Sequence, residues 1–235
     1  MADPMTTSQR AFIFDMDGTI VDNMAYHTES WLAFFGKRGH TLDPDAFFRD
    51  TAGRQGHEIM RTYLGSHLTN EETAALDVEK ESLYRELYAP HLAVTGGFEQ
   101  FIARAKAAGV KLAVATAAPP ANIDFTLDGL DLRKQFDAIA GAADVKRGKP
   151  NPDVFLLAAE RAGSLPANSI VFEDAPLGVE AARRAGMRAV VLTTTLPAEA
   201  FVQFDNVIAI ARDFSELDVD ALFATEPYTL ADATN

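Results

Sequence analysis

Six short apolar runs, separated by stretches of helical period, constrain this chain more than any other feature. They are Phe12–Phe14, Leu112–Ala115, Ala138–Ala140, Ile170–Phe172, Ala189–Leu192 and Val207–Ile210. None alternates apolar with polar residues, which is the pattern of a strand buried on both faces. Between them, Phe98–Ala108, Pro152–Ala162 and Val179–Ala185 read as amphipathic helices. Gly109, Gly163 and Gly186 stand where those helices should stop. Strand and helix in alternation predict an α/β fold built on a doubly wound parallel sheet.

One region breaks the alternation. From Met24 to His91 the patterns are helical, and no run reads as a strand. Trp31, Phe34 and Phe35 mark one apolar face, Ile59, Met60 and Tyr63 a second, and Leu83, Leu87 and Tyr88 a third. An insert between the first two strands predicts two domains. Residues 1–22 and 93–235 would form the α/β core, and residues 23–92 an α-helical cap over the C-terminal edge of the sheet. Its connections, near Val21–Met24 and His91–Thr95, would act as hinges.

Composition narrows the partners. The chain has 235 residues, 48% of them apolar, enough for a substantial core. Its net charge of −13 makes nucleic acid and anionic membranes poor partners. An anionic substrate would therefore need cationic groups gathered locally. The absence of cysteine excludes disulfides and thiol catalysis, and it fits a reducing compartment. No stretch is long and apolar enough to span a bilayer, and Met1-Ala2-Asp3-Pro4 lacks a secretory pattern. The expectation is a cytoplasmic protein. It is expected to be monomeric, with frayed ends.

Residues that carry chemistry collect at the ends of the strand runs. Asp15 and Asp17 follow Ala11-Phe12-Ile13-Phe14, with Gly18 and Thr19 next. Thr116 closes Leu112-Ala113-Val114-Ala115. Lys149 lies in Arg147-Gly148-Lys149-Pro150-Asn151-Pro152, and Glu173-Asp174 closes Ile170-Val171-Phe172. Each has an ordinary explanation taken alone: a turn, a solvated loop cation, a helix cap. Together, at the strand ends where open α/β sheets bind ligands, they make a chemically coherent set. A carboxylate can attack phosphorus and form an aspartyl-phosphate. Mg²⁺ held by oxygen ligands would offset the repulsion between carboxylate and phosphate. A lysine and a hydroxyl can hold the phosphoryl oxygens, and a second carboxylate can act as general acid and then base.

From about Arg10 to Leu192 the chain resembles the haloacid dehalogenase superfamily, specifically its β-phosphoglucomutase-like and sugar-phosphate phosphatase group with a helical cap. The run Glu173-Asp174-Ala175-Pro176-Leu177-Gly178-Val179-Glu180-Ala181-Ala182 is close to the group's fourth motif. The resemblance implies a Rossmann-like core with Asp15 as nucleophile and Asp17 as acid–base residue. It implies Thr116 and Lys149 as the phosphate-binding pair. Mg²⁺ would be held by Asp15, the backbone carbonyl of Asp17, and Asp174, with Glu173 as a ligand or a neighbour of one. An aspartate at position 17 favours phosphoryl transfer over dehalogenation in this superfamily.

The cap offers three substrate-binding candidates by the same resemblance. His27 lies near the start of the insert. Arg54, in Thr51-Ala52-Gly53-Arg54, suits a second phosphate or a carboxylate. Lys80 matches a cap lysine that reaches the active site, although its glutamate neighbours equally allow a surface ion pair. One departure weighs against a mutase. Ala117-Ala118-Pro119-Pro120 follows Thr116, where β-phosphoglucomutases tend to carry Ser, Lys and Asn. A mutase must hold a bisphosphate in two orientations, and those donors are missing here. The expected activity is a Mg²⁺-dependent phosphatase acting on a small sugar or polyol phosphate, with β-phosphoglucomutase as the alternative.

Overall fold

The computed structural model describes residues 9–51 and 56–224. It divides into two compact units, Met1–Asp22 with Ala93–Asn235, and Asn23–Leu92. In chain order, β1 (Gln9–Phe14) is followed by four helices of the second unit: α1 (Met24–Gly36), α2 (Pro44–Thr51), α3 (Gly56–Leu64) and α4 (Asn70–Tyr88). The first unit resumes with α5 (Phe98–Ala107), β2 (Lys111–Ala115), α6 (Pro120–Gly129), β3 (Ala138–Ala140) and α7 (Asp153–Ala162). It ends with β4 (Ser164–Glu173), α8 (Pro176–Arg184), β5 (Arg188–Leu192), β6 (Val207–Ala211) and α9 (Val219–Ala224). No helix among the described residues is long and apolar enough to cross a membrane.

All six predicted strands are present, in one sheet of order β3-β2-β1-β4-β5-β6 with every pairing parallel. This is the doubly wound arrangement, and the strand order reverses between β1 and β4. Successive side chains on a strand face opposite ways, and β1 uses the two faces differently. Ala11 and Ile13 join an aliphatic core of small residues with Ala113, Val171 and Ala189, packed under Phe155 and Ala158 of α7 and Val179 and Ala182 of α8. Phe12 and Phe14 enter an aromatic layer on the opposite face. Phe14 stacks on Phe172 with ring centroids 4.6 Å apart, Phe12 stacks on Phe101 of α5 at 5.4 Å, and Phe98 and Phe214 join edge-on or tilted.

Two elements differ from the sequence reading. β4 begins at Ser164 rather than Ile170, because Gln9 pairs with Ser164 before a register shift resumes pairing at Ala11 and Ser169. Pro120 does not extend the loop after Thr116. It opens α6, where its fixed φ suits the first helical turn and its missing N–H costs nothing.

The helical unit has its own core of Trp31, Phe34, Phe35, Phe47, Ile59 and Met60, with Tyr63 and Leu83 partly buried against it. α4 starts in a reciprocal capping box: Glu72 N donates to the Thr69 hydroxyl at 3.2 Å, and Thr69 N to the Glu72 carboxylate at 2.8 Å. The fully buried stripe of α4 is Thr73, Lys80, Tyr84 and Tyr88, while Leu83, partly buried, packs against the core from its flank. The stripe follows the four-residue step of a helix from Lys80 to Tyr88, and it carries a lysine at a position where the period asks for an apolar side chain.

Candidate active site

β1 delivers Asp15 to the tip of the sheet. The strand ends at Phe14, and Asp15 N still donates to Phe172 O at 2.9 Å, so the residue is pinned to β4. A tight turn follows: Thr19 N and Val21 N both donate to Met16 O, and Gly18 N donates to Val21 O at 2.8 Å. Gly18 has φ +80°, a left-handed conformation that favours glycine. A Cβ there would also lie 2.1 Å from Asp174 Oδ2, so space and backbone both demand glycine. Asp17, two residues past Asp15, is half-buried in this turn and bridges to Val21.

β4 supplies the acidic pair from the other side of the switch point. Glu173 is fully engaged. Its Oε1 accepts from Lys149 Nζ at 2.6 Å, and its Oε2 accepts from Asp174 N and Ala175 N, each at 3.0 Å. It therefore holds the turn into α8 as well as the lysine. Gly178, in the first turn of α8, makes room for it, since a Cβ there would stand 1.7 Å from Glu173 Oε1. Lys149 Nζ also donates to Asp15 Oδ1 and lies 4.9 Å from the centre of the Phe155 ring.

Carboxylate oxygens of Asp15, Glu173 and Asp174 all lie within 4.8 Å of one another, and all three residues are buried. Burial is the main force raising the Asp15 pKa well above the ordinary carboxylate range; Lys149 opposes it, and Glu173 and Asp174 add to it. Asp174 is pushed up to about 7, first by burial and then by Glu173, against the hydrogen bond from Thr195. Burial works against the charge of Lys149, yet Asp15 and Glu173 together hold its pKa above the usual lysine value. Three carboxylates facing one ammonium leave the cluster short of positive charge. A hard divalent cation such as Mg²⁺ fits this set of oxygen donors and would supply the missing charge.

Thr116 lies just past the C-terminal end of β2, the neighbour of β1, where Phe14 pairs with Val114. The residue is buried, and its hydroxyl accepts from Ala118 N at 3.0 Å, leaving its own proton to donate. The structure thus brings Asp15, Lys149, Glu173 and Asp174 into contact and sets Asp17 and Thr116 at the same end of the sheet.

His27 and Lys80 come together within the helical unit. Lys80 Nζ lies 3.0 Å from His27 Nδ1 and 2.8 Å from Glu81 Oε1, and 5.0 Å and 5.7 Å from the Trp31 and Tyr84 ring centres. The pair with a glutamate neighbour therefore does form, but away from the surface: the Lys80 side chain is only 2% exposed and that of Glu81 13%. The His27 ring stacks on Tyr84 at 3.8 Å, and the Tyr84 hydroxyl accepts from Asn23 Nδ2 at 2.6 Å. Arg54 lies outside the described residues.

Sequence reasoning passed over Gly178, Thr194 and Thr195. Thr195 donates to Asp174 Oδ2, and Thr194 donates to Gly18 O. A signal was available: Thr193-Thr194-Thr195 directly follows the strand run Ala189–Leu192, the kind of position that singled out Thr116.

A sequence model of the family described as haloacid dehalogenase-like hydrolase matches residues 9–186. The chain is 32% identical to validoxylamine A 7'-phosphate phosphatase of Streptomyces hygroscopicus subsp. limoneus, over 87% of this chain and 94% of that protein. It is 34% identical to fructose-1-phosphate phosphatase YqaB of Escherichia coli strain K12, over 76% of this chain and 93% of that protein. Among solved structures it resembles β-phosphoglucomutase from Clostridium difficile, with a TM-score of 0.79 and 26% identity, covering 92% of this chain and 96% of that one.

Proposed function

This chain belongs to the haloacid dehalogenase-like hydrolases, and from that membership we propose that it is a Mg²⁺-dependent phosphatase of small sugar or polyol phosphates. The observation that carries the proposal is the buried cluster of Asp15, Glu173 and Asp174 held on Lys149 at the switch point of the sheet. Relatives named as phosphatases of fructose 1-phosphate and of validoxylamine A 7'-phosphate support the substrate class.

In the proposed mechanism an Asp15 carboxylate oxygen attacks phosphorus while the bond from phosphorus to the substrate oxygen breaks. Asp17 gives its proton to that leaving oxygen, so the alcohol departs neutral. Lys149 and the Thr116 hydroxyl hold the phosphoryl oxygens as their charge redistributes. Asp17 then takes a proton from water, whose oxygen attacks the aspartyl-phosphate and returns Asp15 as a carboxylate with inorganic phosphate. Asp15, Asp174 and the Asp17 backbone carbonyl would hold Mg²⁺, with Glu173 beside them; when bound, the cation offsets the repulsion between carboxylate and phosphate. The helical unit would serve as a cap that excludes water and reads the substrate, with His27, Lys80 and Arg54 as its polar contacts.

β-Phosphoglucomutase remains the rival because Lys80 and His27 are built into one buried cluster. Against it stands the stretch after Thr116, where Ala117, Ala118 and Pro119 lead straight into α6 and bring no side-chain donor to a second phosphate. A Mg²⁺-dependent assay on a sugar-phosphate panel separates the two. The panel includes β-glucose 1-phosphate with its bisphosphate primer, and free phosphate and glucose 6-phosphate are read in parallel. Phosphate release is expected. Asp15→Asn should lower turnover by about four orders of magnitude or more while leaving the fold intact. Retained activity in that variant, free of host phosphatase, would sink the assignment. Rapid glucose 6-phosphate formation with little free phosphate would make the chain a mutase.

A further inference from the structure

The loop after β5 reaches both halves of the carboxylate cluster. Thr193 fastens it to β6, its N–H donating to Ala211 O at 2.9 Å. Thr194 Oγ1 then donates to Gly18 O, on the turn that carries Asp15 and Asp17. Thr195 Oγ1 donates to Asp174 Oδ2. The three groups are packed against each other: the place a Gly18 Cβ would take lies 2.1 Å from Asp174 Oδ2 and 2.9 Å from Thr195 Oγ1. Two consecutive hydroxyls therefore join elements that β1 and β4 bring to the site separately.

A buried carboxylate can rotate about its last bond, and each orientation offers a cation a different oxygen. A hydroxyl donor on Oδ2 selects one orientation and leaves Oδ1 for a ligand, the way outer partners orient metal-binding side chains. We propose that Thr195 is a positioning residue for the divalent cation, fixing the Asp174 carboxylate, and that Thr194 holds the Gly18 turn in register with it. The inference rests on the reading of Asp15, Asp17 and Asp174 as a Mg²⁺ site. It adds residues from a third strand end, β5, that bind neither substrate nor metal.

The test is calorimetric titration of Mg²⁺ into the full chain, comparing wild type with Thr195→Val, Thr195→Ala and Thr195→Ser. Melting temperatures are measured without metal as a control. Valine keeps the shape and loses the hydroxyl, alanine covers the case in which valine disturbs the loop, and serine restores the donor. Mg²⁺ affinity should fall about 10-fold or more in the valine and alanine variants and stay near wild type in the serine variant. Turnover at saturating Mg²⁺ should recover in all three. Wild-type affinity in both the valine and alanine variants would overturn the inference while leaving the proposed function standing. No saturable Mg²⁺ binding by the wild-type chain would overturn both.

Discussion

Each unit of this protein hides a lysine from solvent, and the two are compensated differently. Lys149 in the α/β unit, with its side chain 11% exposed, lies against Asp15 and Glu173, with Asp174 in the same cluster. Lys80 in the helical unit, at 2%, has the Glu81 carboxylate, an imidazole nitrogen and two aromatic rings against it, with the Asp77 carboxylate near enough to feel its charge. A charge withdrawn from water must be compensated by its neighbours. Around Lys149 three carboxylates meet one ammonium, an excess that a further positive charge would balance. Around Lys80 the balance is closer, and part of it comes from ring faces that carry no formal charge. Burial alone is thus a poor guide to role. The informative quantity is the charge left over after the neighbours are counted.

This contrast can be broken by exchanging each lysine for an apolar residue of similar length. The larger effect is expected from Lys149→Met, which strands Asp15 and Glu173 without their partner. It should lower kcat/KM by about 10³-fold and destabilise the fold by about 3–5 kcal/mol, read by steady-state kinetics and denaturant melts. Next comes Gly178→Ala, which sharpens the role given to Glu173. Alanine suits a helix better than glycine, which offsets only part of the cost of crowding a buried site, so the melting temperature should fall modestly. The new methyl occupies the place of the Glu173 carboxylate, and displacement by about an ångström should cost roughly 10²-fold in turnover. Unchanged kinetics would show that the grip of Glu173 on Lys149 is dispensable. The smallest effect belongs to Lys80→Met: KM for the sugar phosphate should rise about 10-fold at nearly constant kcat, with a smaller loss of stability than in Lys149→Met, because the Glu81 carboxylate left behind is nearer solvent than Glu173. If Lys80→Met proved as destabilising as Lys149→Met, the distinction drawn between the two lysines would be lost.

The strands of the α/β unit were readable because a parallel strand covered on both faces has no polar position to confuse its pattern, as in Ile170–Phe172 between β1 and β5. Asp15, Glu173 and Asp174 stood out because strand ends concentrate chemistry, and Lys149, in the segment between β3 and α7, because it completes a chemically coherent set with them. The early part of β4 was hidden by its composition: Ser164-Leu165-Pro166-Ala167-Asn168 carries turn residues, and only the pairing of Gln9 with Ser164 makes it a strand. α6 was hidden because Ala117-Ala118-Pro119-Pro120 drew notice only for its missing phosphate donors, whereas the second proline is the first residue of a helix. The helical unit was harder still. Lys80 sits among glutamates in sequence, and nothing in that pattern shows that its helix turns it toward Trp31 and His27. The hydroxyls of Thr194 and Thr195 make contacts 176 and 21 residues away in sequence; their place after a strand run marks them as candidates, but not the partners they take.

The aromatic residues that build the two cores are themselves divided. The chain has a single tryptophan, Trp31, and Tyr26, Tyr63, Tyr84 and Tyr88 share its unit, whereas the layer beneath α5 is phenylalanine. Excited near 295 nm, the molecule therefore emits from its helical part alone. The emitting indole stands 5.0 Å from the Lys80 ammonium, so its colour and intensity follow the electric field of that lysine. The protein carries a built-in optical reporter of its helical unit, sensitive to whatever approaches Lys80. Stopped-flow emission can then time events in the helical unit separately from phosphate release, with no label attached.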